Sequence, residues 1–155
     1  MLIATAYSSP KVAVAGSTLV IGESGLTPAG LAVYDVSTTP ATLRGRIDGH
    51  DNKTGFLGSL AITPDGSTVV AAFLGVKEYG AWDTTSLRKV RTYGPDPASG
   101  SYSPVVAVSA DGTHIACGWG PEPAMGVTLY DSATTAATYT DISPDHAFEG
   151  TYLLG

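Results

Sequence analysis

Leu60-Ala61-Ile62-Thr63-Pro64-Asp65-Gly66-Ser67-Thr68-Val69-Val70-Ala71-Ala72 is the stretch whose reading decides the fold. Leu60 to Ile62 alternates and then meets Pro64-Asp65-Gly66. Proline sets φ at the first turn position, and glycine takes the positive φ that closes a hairpin. Thr68 to Phe73 is the next strand, and its run of small apolar residues, Val69-Val70-Ala71-Ala72, suits a strand covered on both faces. The same pattern returns as VAVSADGTHIACG at Val106–Gly118, and a shortened copy, KVAVAGSTLVIG, precedes it at Lys11–Gly22. A second landmark moves in step. VYD ends at Asp35, AWD at Asp83 and LYD at Asp131, each 48 residues after the last. An internal repeat of this period sets the architecture before any single residue is weighed.

Working outward, each copy reads as four strands. The middle one continues through Tyr79 to Trp82, a Thr84-Thr85-Ser86 turn, and Leu87 to Tyr93, whose alternation of apolar and charged residues suits a half-exposed outer strand. The third copy predicts strands at Val105 to Val108, His114 to Cys117, Val127 to Tyr130 and Ala136 to Thr140. The first predicts Val12 to Val14, Leu19 to Gly22, Leu31 to Tyr34 and Leu43 to Ile47. No window shows a helical apolar stripe, so almost no helix is expected. The composition agrees: 43% hydrophobic and 14% charged residues make a globular chain, and 19 Gly with 10 Pro in 155 residues indicate short strands and tight turns.

Four-stranded units of this length are the blades of a β-propeller. The middle unit resembles a WD repeat, or its relative the YVTN-type repeat. The matching residues are LAITPDG, the strand TVVAA and the dipeptide Trp82-Asp83, with Gly49-His50 upstream. The other units carry Tyr34-Asp35 and Tyr130-Asp131 instead of Trp-Asp, and the middle one reads Gly75-Val76-Lys77-Glu78 where WD repeats place an Asp. The YVTN-like group is therefore the better match. The fold this implies is all-β: a propeller-like arc of about three four-stranded antiparallel blades, a fragment of a larger propeller. As one partial domain over 1–155, blade 1 is about 11–48, blade 2 about 58–94 and blade 3 about 103–140, with 141–155 the start of a further blade. Leu2 to Tyr7 reads as an orphan outer strand. Three blades leave two open ends, so either further blades lie outside this chain or the arc associates head-to-tail with a copy of itself.

Propellers usually meet ligands on the face that carries the links between blades and the turns between second and third strands. The polar residues there include His50, Asp51, Tyr102 and His146, with Asn52, Lys53, Asp96, Asp145 and Glu149. His50 and His146 are 96 residues apart, two periods of 48. No short ligand spacing accompanies them, so no metal is assigned and solvated loop histidines are expected. Phe73 and Trp119 fall just past the second strand of their units, where they form either an aromatic platform for sugars or peptides or packing under the neighbouring loops. Asp35, Asp83 and Asp131 recur in every unit, which marks residues that end a strand and bond its turn.

Several function classes are excluded or left without support. The net charge of −6 and only eight Lys and Arg argue against nucleic acid as a partner. The basic cluster Arg88, Lys89 and Arg91 reads as a solvated face of an outer strand. Cys117, the single cysteine, lies within the apolar strand HIACGW and reads as a buried small hydrophobe. No run of 18 apolar residues predicts a membrane span, and MLIATAYSSPK lacks the basic and apolar regions of a signal peptide. Low Lys with abundant Thr, Ala and Gly resembles extracytoplasmic or secreted bacterial proteins. No nucleophile elbow, P-loop or Gly-rich dinucleotide motif is present, and no catalytic residue or cofactor is assigned. The reading is a binding or scaffold module that presents a propeller loop face to a protein, peptide or glycan. The alternative is part of a propeller enzyme, a lactonase or quinoprotein-like dehydrogenase, with its site at the ring centre.

Overall fold

Aspartate-glycine turns and period-two alternation produce three successive meanders. The computed structural model describes residues 11–23, 30–48, 57–73, 79–94, 105–119 and 126–141. Among the described residues there are twelve strands and no helix. The first sheet holds β1 (Lys11–Ala15), β2 (Thr18–Glu23), β3 (Gly30–Asp35) and β4 (Thr42–Asp48). The second holds β5 (Leu57–Ile62), β6 (Thr68–Phe73), β7 (Tyr79–Asp83) and β8 (Lys89–Tyr93). The third holds β9 (Val105–Val108), β10 (His114–Trp119), β11 (Gly126–Asp131) and β12 (Ala137–Asp141). Each sheet is antiparallel, with its four strands side by side in chain order. The expected C-terminal approach beyond Asp141 and the expected N-terminal strand, Leu2 to Tyr7, lie outside the described residues.

The tight hairpin turns form as the glycines predict. Gly16, Gly66 and Gly112 have φ of 54°, 73° and 74°. In the second sheet Gly66 N–H donates to Thr63 O, and in the third Gly112 N–H donates to Ser109 O. A further bond recurs in all three sheets and ties the first turn to the third strand's end. Val36 N–H donates to Ser17 O, Thr84 N–H to Ser67 O and Ser132 N–H to Thr113 O, at 2.8, 2.9 and 2.9 Å. Thr84 is buried, and its hydroxyl is satisfied by Gly66 O at 2.7 Å, as a desolvated polar group must be.

Leu87 departs from the sequence reading. It lies before β8 rather than within it, in a left-handed conformation with φ of 61°. The cause is the turn that Asp83 organises: its Oδ1 accepts Thr85 N–H and Ser86 N–H, while Leu87 N–H donates to Asp83 O. Thr135, 48 residues on, repeats the conformation with φ of 62°, and Ala136 likewise precedes β12 instead of opening it. Leu87 gains from this placement, since its side chain packs against the core between the first two sheets.

Two apolar layers hold the sheets face to face. Between the first and second lie Val20, Leu31, Val33 and Ile47 against Leu57, Val69, Ala71, Phe73 and Trp82. Between the second and third lie Val70, Ala72, Tyr79, Ala81 and Tyr93 against Val106, Ile115, Cys117 and Tyr130. The middle sheet is thus covered on both faces, which explains why β6 reads as unbroken small apolar residues. Tyr34, Trp82 and Tyr130 occupy matching places. Trp82 and Tyr130 are buried against the preceding sheet, and Tyr34 is half-buried.

Candidate functional site

The strand order fixes two opposite rims. The turns after the first and third strands of each sheet share one rim, and the longer links share the other. His50, Asp51, Tyr102 and His146, the candidates on the link rim, lie outside the described residues. Phe73 is placed otherwise than on an open platform. It is 3% exposed, edge-on to Trp82 with ring centroids 6.0 Å apart and planes at 85°. Alternation turns Phe73 with Leu57, Val69 and Ala71 onto the first sheet, so its ring belongs to the core. Trp119 ends β10, and its backbone pairs with Gly126.

The tight-turn rim, which the sequence reading treated only as structure, carries a cleft of about 330 Å³ between the second and third sheets. Its walls are the β5–β6 turn (Thr63, Pro64, Asp65, Ser67), the β9–β10 turn (Asp111, Gly112), the β11–β12 turn (Ser132, Ala133), and Arg91 and Tyr93 of β8. Register explains why these distant residues meet. Arg91 pairs with Ala81 and so turns toward the third sheet, where its Nε donates to Ala133 O at 3.1 Å. Tyr93, two residues on, shares that face, and its hydroxyl donates to Ser132 O at 2.9 Å. Burial pushes the Tyr93 phenol above its ordinary value.

The aspartates of this rim are engaged by their own turns. Asp65 Oδ1 accepts the Thr63 hydroxyl at 2.6 Å and Ser67 N–H at 3.0 Å, and its Oδ2 accepts the Ser67 hydroxyl at 2.8 Å. These bonds, Thr63 first, hold its carboxyl below the usual range. Asp111 repeats the arrangement with the Ser109 hydroxyl at 2.6 Å and Thr113 N–H at 3.0 Å, which together bring it down to about 2. Asp83 accepts Ser86 N–H at 2.6 Å, and Asp131 accepts Thr134 N–H at 2.7 Å. Both are lowered by these bonds. Asp35 is brought to about 2 by Ser37, helped by Arg44 at 2.9 Å. The repeated aspartates are therefore strand terminators that bond their turns, as their recurrence implies. All five are ionised acceptors near neutral pH, without a proton to give as general acids.

The basic cluster also acquires roles that alternation alone does not supply. Lys89 Nζ lies 5.8 Å from the centre of the Trp82 ring, a cation–π contact, while Arg91 bridges the second and third sheets. Cys117 is fully buried, and desolvation pushes its thiol up to about 12, so it is an inert packing group. Among the described residues no three His, Cys, Asp or Glu side chains gather as a metal site, and no helix is long and apolar enough to cross a membrane.

No protein-family model matches the sequence, and a search of curated proteins finds no match. Among solved structures, the fold is similar to a chain of Kuenenia stuttgartiensis hydrazine synthase, with a TM-score of 0.66 and 21% identity over 86% of this chain. The chain spans 37% of the length of that neighbour. At this identity the likeness is one of fold: an all-β, propeller-like arc of three four-stranded antiparallel sheets.

Proposed function

We propose that the chain is a binding or scaffold module built of YVTN-like repeats, presenting a propeller face to a protein or peptide, with glycans as the alternative ligand class. The observation that carries this reading is how the reactive groups are used. The five aspartates accept hydrogen bonds from their own turns and the thiol is buried. The rim between the second and third sheets nevertheless holds an open cleft lined by hydroxyls, a guanidinium and a phenol. Such a surface offers hydrogen bonds, charge and an aromatic edge, the means by which polar segments are recognised. His50, Asp51, Tyr102 and His146, which the repeat assigns to the links between blades, are proposed as a second set of ligand contacts.

The test is a screen of the purified chain on peptide and glycan arrays, with hits measured by calorimetry. Saturable binding without chemical change in the ligand is expected. A peptide bound at the cleft should lose about tenfold in affinity, ~1.4 kcal/mol, when Arg91 is replaced by Glu. Turnover of lactones, or dye-linked oxidation of alcohols, would overturn the reading in favour of a propeller enzyme with a central site.

A further inference from the structure

The repeat makes the two ends of the arc legible as interfaces. Cross-strand pairs share a face of a sheet, so the pairing registers identify equivalent positions in each sheet. The face directed toward the preceding sheet carries Leu60, Ile62, Val69, Ala71 and Trp82 in the second sheet, all packed against the first. In the third sheet the same positions are Val106, Val108, Ile115, Cys117 and Tyr130, all packed against the second. In the first sheet they are Val12, Val14, Leu19, Ile21 and Tyr34. Here no described sheet precedes them. Val12 is 57% exposed and Val14 63%, with Leu43 beside Tyr34 at 46%.

The opposite face behaves in the same way. Val20, Leu31 and Val33 of the first sheet are fully buried under the second. Their equivalents Val70, Tyr79 and Ala81 are buried under the third. In the third sheet these positions are Ala116, Val127 and Leu129, and Val127 is 46% exposed with Val105 beyond it at 57%. Gly118 takes the place of Gly22, where a Cβ would collide with the Leu57 and Leu60 side chains of the next sheet. The third sheet thus retains the small residue that admits a neighbour's aliphatic side chains.

We propose that these two faces bind each other between two copies of the chain. The first sheet of each copy stacks on the third sheet of the other, closing a two-fold ring of six sheets. The occupant is read from the molecule itself. One kind of face meets the other twice among the three described sheets, and among the described residues one face of each kind is left without a partner sheet. Apolar faces of this extent seek cover, and six units lie within the usual range of propellers. A head-to-tail contact of this kind either closes or grows without end, and three plus three units close under two-fold symmetry.

The test is sedimentation velocity and light scattering of the full chain at micromolar concentration, with Val14→Asp and Val127→Asp made separately. Both side chains are exposed in the single arc, so the strand signal in circular dichroism should persist in each variant. The expected result is a particle of about twice the 15.8 kDa chain mass that becomes monomeric with either substitution. A wild-type monomer, its ends covered by other segments of its own chain, overturns the proposal. So do a dimer that survives either substitution, which would pair like faces or use another surface, and open-ended polymers.

Discussion

Trp82 and Gly80 offer a sharp test of how the sheets are held together. The indole is 6% exposed, lies edge-on to Phe73 at 6.0 Å and carries Lys89 Nζ over it at 5.8 Å. Removing it leaves a cavity in the layer between the first two sheets, so Trp82→Ala should cost about 3–5 kcal/mol. The aromatic pair contributes roughly 0.5–1.5 kcal/mol of that beyond buried area. Gly80 lies on the same strand, and a Cβ built there falls inside van der Waals contact of the indole ring. Gly80→Ala alone should therefore displace a packed ring and cost about 1–3 kcal/mol. In the Trp82→Ala background the obstacle is gone. The φ of Gly80 is not positive, so the same change should stabilise by about 0.4–1 kcal/mol through the unfolded chain. Urea unfolding followed by far-ultraviolet circular dichroism, at one fixed protein concentration, measures all four corners of this cycle. A loss under about 1 kcal/mol for Trp82→Ala, or Gly80→Ala with the same sign in both backgrounds, would refute the packing argument.

Acid should weaken the fold from a defined point. The five turn aspartates are held below their usual range, Asp35 and Asp111 at about 2, so their contribution is present above the unfolded carboxylate value near ~4 and is lost as pH falls through the folded values. The urea midpoint should therefore be flat from pH 7 to about 5 and fall between roughly pH 4 and 2, less steeply in Asp111→Ala. Cys117 has the opposite sign: with its thiol pushed up to about 12, stability should fall above the free-thiol value of roughly 8.5. The native thiol should react with an aromatic disulfide at pH 8 only at the rate of unfolding, and immediate labelling would show that it is accessible. Gly66→Ala combines a positive φ of 73° with a Cβ 2.7 Å from Ala15 O, so it should lower the midpoint by at least ~1 kcal/mol in stability, more than the same change at the open Gly16.

The hairpins were legible because their signals are local. Pro64-Asp65-Gly66 and Ala110-Asp111-Gly112 announce turns by the φ that Gly alone takes freely, and the hydroxyls two residues before Asp65 and Asp111 then close them. Asp35, Asp83 and Asp131 were readable as strand ends because each bonds residues two or three positions away. The same locality explains why Leu87 was misread. The mixture of apolar and charged residues from Leu87 to Tyr93 suits a half-exposed strand, but the hydrogen bond from Leu87 N–H to Asp83 O places Leu87 in a left-handed turn.

What the sequence by itself determined, among the described residues, is the twelve strands, their antiparallel order and the period that repeats them, since turns and alternation act within a few residues. What only the tertiary structure decided is which face of each strand is covered. Phe73 reads from its position alone as either a surface platform or packing, and stacking against the first sheet buries it beside Trp82. Arg91, Tyr93, Asp111 and Ser132 carry no shared motif, and meet around one cleft because β8 of one sheet reaches the last turn of the next. The exposure of Val14 and Val127 follows likewise from their place on the outer faces of the first and third described sheets. Face-to-face burial couples residues dozens of positions apart, and its free energy depends on the area removed from water, which no local pattern encodes.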